Sequence, residues 1–169
     1  MPPRFLLMVF LPLGLITAFL FIKNKKSQLY TAIPKQNVIY FQSFRIVVEL
    51  MIHATFIAGI FPIETTYEGY NYEIAIGLIA PIVAYGVYKR SWWSEKVVLI
   101  FNYLGLATLG IIIFIVINLL YAPSFWGDTA PRMGQDFTRI PYLLIPGFLA
   151  PVAIFAHIFS IIQIRKSRK

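Results

Sequence analysis

"VVLIFNYLGLATLGIIIFIVINLLY" (97–121) carries no charged side chain. At a rise of about 1.5 Å per residue it makes a helix of about 37 Å, longer than the ~30 Å hydrocarbon core of a bilayer. A run of this kind is far longer than a soluble core helix needs and reads as a membrane span. Four further apolar stretches lie at 5–22, 41–61, 72–88 and 142–164. The stretch at 72–88 is the shortest and holds Pro81. Charged residues are only 13% of the 169-residue chain, against about a quarter in soluble domains, and hydrophobic residues are 59%. The expectation is an all-α membrane protein, a single transmembrane domain over 1–169 with five spans. The stretch at 5–22 has no A-x-A pattern and its lysines follow it, so it is expected to be a retained helix rather than a cleaved signal.

The net charge of +8 is placed by the loops. Lys23, Lys25, Lys26 and Lys35 follow the first stretch; Lys89, Arg90, Glu95 and Lys96 separate the third from the fourth; Arg165, Lys166, Arg168 and Lys169 end the chain. These connections carry +4, +2 and +4. The alternate ones carry Glu64, Glu68 and Glu73, then a balanced set of Asp128, Arg132, Asp136 and Arg139, with Arg4 ahead of the first span. Positive loops face the cytoplasm. The N-terminus is therefore expected outside and the C-terminus in the cytoplasm, and the charge is accounted for without nucleic acid as a partner. There are no cysteines, which excludes disulfides, thiolate metal sites and cysteine nucleophiles.

Among the connections, 23–40 mixes lysines with apolar residues and suits a loop or a segment lying in the headgroup layer. The 62–73 connection reads as a tight outer turn, with Glu73 complementing the dipole at the next helix start. Trp92 and Trp93 suit interfacial anchoring, and the long 122–141 loop is placed to fold over the outer mouth of the bundle. Pro146 and Pro151 predict kinks in the last helix.

Three stretches carry a resemblance. "YEGYNYEIAIGLIAP" (67–81), "FNYLGLATLG" (101–110) and "PYLLIPGFLAPVAIFAHIFSI" (141–161) resemble an uncharacterised family of small bacterial five-helix integral membrane proteins. The family shows W-N-x-L-G-L and a final P-x-x-x-x-P-x-F-x-x-P…H pattern. This chain keeps Asn102, Leu104, Gly105 and Leu106, with Phe101 in the Trp place, and has Pro141, Pro146, Phe148, Pro151 and His157. The resemblance implies a multi-pass protein of the bacterial cytoplasmic membrane and brings no activity with it.

The chemistry is concentrated in "FRIVVELMIHATF" (44–56), where Arg45, Glu49 and His53 fall four apart on one helical face. Charge facing lipid at mid-membrane costs about 2.5–3.5 kcal/mol per residue, so the stripe is expected to face the bundle interior, with Arg45 and Glu49 able to pair. Counting from 41 and 164 as cytoplasmic boundaries puts Arg45 about 6 Å deep, Glu49 about 12 Å, His53 about 18 Å and His157 about 10 Å; from 97, Asn102 is about 8 Å deep. Arg45, Glu49, Asn102 and His157 then share a layer in the cytoplasmic half. Arg45, Glu49, His53, Asn102 and His157 are the expected ligand-binding residues.

The first functional reading is binding or transport of a small molecule or lipid through this polar site. Five helices are few for alternating access, so a transporting form is expected as a homo-oligomer. The alternatives are a structural or accessory membrane protein whose polar cluster is packing glue, and a lipid-modifying enzyme using Glu49 and His157, which has no nucleophile but Ser160. Catalysis is the weaker reading. Neither a metal nor another cofactor is expected, because His53 and His157 differ by about 8 Å in depth and further ligands are lacking.

Overall fold

A computed structural model of the chain describes residues 29–127 and 135–167, together with Leu11, Gly14, Leu15, Ala18 and Met133. Most of the apolar stretch at 5–22, the lysines at 23–26, and Asp128, Arg132, Arg168 and Lys169 lie outside the described residues. The described residues are helical and loop, with no strand among them. The α-helices are α1 (Leu29–Ala32), α2 (Lys35–Phe41), α3 (Phe44–Ile57), α4 (Glu73–Ala84), α5 (Glu95–Tyr121) and α6 (Ala150–Ser167).

Three helical stretches among these residues are long and apolar enough to cross a membrane: Lys35–Ile57, Glu95–Tyr121 and Ile145–Ser167. The first begins six residues earlier than the apolar run that starts at 41, because α2 and α3 join through a tight turn at Gln42 and Ser43 rather than a loop. Within that turn Gln42 N–H bonds Ile39 C=O and Ser43 N–H bonds Tyr40 C=O. Ser94, extended, admits α5, and Glu95 places a carboxylate on its first turn. Pro123 follows Ala122 and stops it.

The expected disturbance of the last helix is a π turn at Ile145–Leu149, which contains Pro146 and leads into α6 just before Pro151. A π turn is one of the few ways a helix continues past groups that break its regular ladder. A second π turn, Tyr85–Lys89, prolongs α4 beyond Pro81.

The start of α2, the start of α5 and the end of α6 meet at one end of the bundle. Lys35 Nζ lies 2.6 Å from Glu95 Oε1 and donates to Ser167 Oγ at 2.7 Å. Gln163 Nε2 donates to the carbonyls of Tyr30 and Ile33, fixing α1 against α6. The apolar core of this basic end joins Ile39, Val83, Val87, Val98, Phe101 and Ile164. A second core at the far end joins Ile52, Phe61, Ile115, Leu119, Phe137 and Ile145. Phe137 comes from the long loop and is fully buried there, with Met133 beside it, so the loop does tuck into the far end of the bundle.

The 62–73 connection departs from a tight outer turn. It carries a 3-10 turn at Ile63–Thr65 and returns along the bundle, so that α4 begins beside the middle of Lys35–Ile57 instead of beside its end. Thr65, Thr66 and Asn71 are buried.

Candidate functional site

Arg45 sits about 15 Å from Lys35 along its helix, Glu49 about 21 Å and His53 about 27 Å. Extending the helix back to Lys35 thus moves the stripe from the basic half to the middle of the bundle and beyond. Arg45 and Glu49 are inside, 2% and 1% exposed. Able to pair by spacing, they take other partners. Arg45 Nη1 instead lies 2.7 Å from Glu73 Oε2, on the first residue of α4.

Gly77 explains how α4 reaches Arg45. A Cβ there would stand 2.9 Å from Ile46 Cγ1, 3.1 Å from Ile46 N and 3.3 Å from Arg45 Cβ. Only a residue without a side chain lets the two helices approach this closely. Glu73 lies one turn before Gly77, on the same face of α4, and so meets the guanidinium.

Glu49 has its own partner. Asn71 Nδ2 donates to both Glu49 oxygens at 2.8 Å and to Thr65 C=O at 3.0 Å, while Asn71 Oδ1 accepts from Glu73 N–H at 3.1 Å. One amide therefore caps the start of α4, fixes the returning loop and holds a carboxylate of α3. Its two N–H groups and its carbonyl are all engaged.

These polar groups close one end of a cavity of about 100 Å³ between α3, α5 and the π turn leading into α6. Arg45, Glu49, Asn71 and Glu73 form the polar end. The remaining wall is aliphatic, including Val48, Ile52, Leu109, Ile113, Val116 and Leu149. Arg45 Nε and Nη2 find no acceptor in the protein. A buried donor without a partner costs about 1–3 kcal/mol, more when charged.

A model of the family described as Domain of unknown function (DUF8737) matches residues 2–165. The chain belongs to this family. No curated protein and no solved structure matches it. Membership of DUF8737 thus agrees with the uncharacterised family expected from the sequence and carries no activity.

In this DUF8737 chain Asn102 and His157 form a second polar group. His157 Nδ1 and Asn102 Oδ1 are 2.8 Å apart, and Asn102 Nδ2 donates to Val98 C=O at 2.8 Å and Ser160 Oγ at 2.9 Å. Because the Asn102 amide nitrogen is engaged with two acceptors, its oxygen must accept, and the imidazole hydrogen sits on Nδ1. The ring lies over Gly105, where a Cβ would be 2.2 Å from His157 Nε2. His157, Asn102 and Ser160 are buried, yet none of them lines the cavity. Of the residues expected to share one layer, His157 and Asn102 are thus brought together, while Glu49 is held by Asn71.

His53 stands apart from both groups. Its Nε2 is 3.8 Å from Glu68 Oε1 and its ring lies 4.8 Å from that of Tyr67, toward the far end. It therefore shares no site with His157. Among the described residues no three His, Asp or Glu side chains gather to hold a metal. Sequence reasoning passed over Asn71, and gave Glu73 its place at the helix start but not its pairing with Arg45. The stretch 72–88 is about 25 Å long as a helix, short of a bilayer core, and this shortness is the signal that its first residue lies inside the bundle.

Proposed function

We propose that this chain is a multi-pass membrane protein that binds, or carries, a small amphipathic molecule in the cavity between α3, α5 and α6. Its topology is the five-span one, with the N-terminus outside and Lys35, Lys89, Arg90, Lys96 and Arg165 on the cytoplasmic side. The apolar stretches at 5–22 and 72–88 complete the five. The observation that carries the binding reading is Arg45: it is 2% exposed, lies on the cavity wall and keeps Nε and Nη2 without an acceptor. Ionisable groups inside membrane bundles are rare and mark ligand or ion paths more often than they mark packing alone.

The Asn102–His157–Ser160 group supports the second reading, packing glue, for its own half of the bundle. Its polar atoms bond mainly one another across α5 and α6, as interhelical contacts worth about 0.6 kcal/mol each do in membrane bundles. A ligand site and a structural knot thus divide the residues expected to form one cluster.

Native mass spectrometry of the protein released from membrane nanodiscs tests the binding reading. Wild type is expected to carry a bound molecule of defined mass, and Val116→Phe, which fills the aliphatic wall, to lose it. Equal retention by both forms, or no bound molecule in either, overturns the cavity as the site.

A further inference from the structure

The chemical class of the ligand follows from three features of the cavity, and rests on the binding reading above. The first is the direction of hydrogen bonding. Arg45 Nε and Nη2 are buried donors on the cavity wall without an acceptor, against one acceptor without a donor, Glu73 Oε1, on the carboxylate already paired with Arg45; donors are in excess, so the ligand's polar group accepts hydrogen bonds. The second is the charge count. Arg45 is already paired with Glu73 at 2.7 Å, and Glu49 adds a further carboxylate held by the uncharged Asn71. One guanidinium against two carboxylates has no positive charge to spare. An anionic headgroup would enter beside both, at the severe cost that like charges incur in a poorly hydrated site. A cation would meet the donors of Arg45 head-on. An uncharged acceptor avoids both penalties.

The third feature is direction along the bundle. The polar end, at Arg45, lies about 15 Å from the basic end, whereas the aliphatic wall runs through Val116 toward the far end, about 31 Å from Glu95. A bilayer phospholipid carries its polar group at the membrane surface and its tails toward the middle. In the far half of the bundle the cavity has the reverse arrangement, its polar end at mid-bundle and its aliphatic wall running outward.

We propose that the cavity takes an uncharged, oxygen-bearing hydrocarbon molecule: a carbonyl compound of the ketone, quinone or ester kind, its oxygen accepting from Arg45 Nε and Nη2 and its hydrocarbon body lying along Val48, Ile113 and Val116. The inverted arrangement favours a free molecule dissolved in the bilayer over a phospholipid ester.

The test uses full-length protein in nanodiscs of ether-linked phosphatidylcholine, which has no carbonyl of its own. 2-Dodecanone labelled with carbon-13 at the carbonyl is the probe, read by isotope-edited infrared spectroscopy. The expected result is a saturable carbonyl band at lower frequency than the ketone in empty discs, from hydrogen bonding. Val116→Phe is expected to weaken the binding at least tenfold. In the double variant Arg45→Met/Glu73→Gln, which removes the ion pair without leaving either partner alone, the band is expected to return to its empty-disc frequency. Dodecanoate and dodecyltrimethylammonium are competing probes. If either displaces the ketone at a lower concentration than unlabelled ketone does, the ligand is charged and this inference falls while the binding reading stands. If none of the three binds saturably, both fall. Loss of ketone binding in ester-linked discs, with binding kept in ether-linked ones, supports the carbonyl chemistry and assigns it to the bilayer's own esters.

Discussion

Arg45 and Glu73 meet at 2.7 Å, from two helices separated by a loop that turns back along the bundle, and both side chains are almost wholly buried. The pair fixes α4 against α3 close to the point where Gly77 lets their backbones approach. Removing one partner of such a pair strands a charge, and costs about 3–5 kcal/mol, whereas removing both is far milder. Glu73→Gln is expected to lower stability by that amount and Arg45→Met/Glu73→Gln to recover most of it, read by unfolding in bicelles. Additive losses would mean that the two groups are not coupled.

Glu49 behaves differently because Asn71, not Arg45, is its partner. Asn71→Leu removes a donor to a carboxylate, a contact worth about 1.5–3 kcal/mol. It also removes the cap on α4. In a double-mutant cycle with Glu49→Gln, Asn71 is expected to show a larger coupling energy than Arg45 shows with Glu49. The reverse order would contradict the hydrogen-bond pattern.

Gly105 and His157 make a sharp steric test. A methyl at 105 would fall 2.2 Å from His157 Nε2, so Gly105→Ala must displace the ring from Asn102. The expected loss is about 1–3 kcal/mol, the range for overpacking. Gly105→Ala combined with His157→Ala is expected to be more stable than Gly105→Ala alone. No rescue would show that the ring is not what the added methyl meets.

The absence of native cysteine makes topology easy to probe. Single variants Ser91→Cys and Ser167→Cys, at the basic end, are expected to react with a membrane-impermeant maleimide only after cells are opened. Ser124→Cys, at the other end of α5, is expected to react in intact cells. Labelling of Ser91→Cys from outside would reverse the orientation.

Phe137 closes the far end of the bundle over Ile52, Ile115 and Ile145. Truncating a buried Phe to Ala costs about 3–5 kcal/mol. Phe137→Ala is also expected to quicken modification of a cysteine introduced at Val116, measured with a small thiosulfonate. An unchanged rate would mean that the loop does not guard the cavity.

Much of this arrangement was open to reading from the sequence. The uncharged run at 97–121 and the apolar 142–164 gave helices because hydropathy and length are local properties. The inward stripe of Arg45 and Glu49 was equally legible, since the cost of lipid-facing charge leaves one choice of face. The partners of Arg45 and Glu49 were not. Arg45 and Glu49 four apart suggest each other, and nothing local says that the chain after Phe61 turns back to present Asn71 and Glu73. Depth was misjudged for a related reason. Lys35, Gln36 and Asn37 look like loop, yet they are helical because α5 and α6 supply Glu95 and Ser167 to receive Lys35. His157 found Asn102 because both lie near the basic end, where the helix ends are pinned together.

The side chain of Asn71 has a mechanical consequence. Its amide is a flat, stiff plate with Glu49 and Thr65 on one edge and the first backbone N–H of α4 on the other. The carboxylate cannot shift or rotate without either breaking those bonds or dragging the plate, and the plate cannot move without tilting the first turn of α4. Whatever arrives at Glu49, a proton or a molecule, is thereby geared to the angle of a helix whose other end reaches Lys89 at the basic surface.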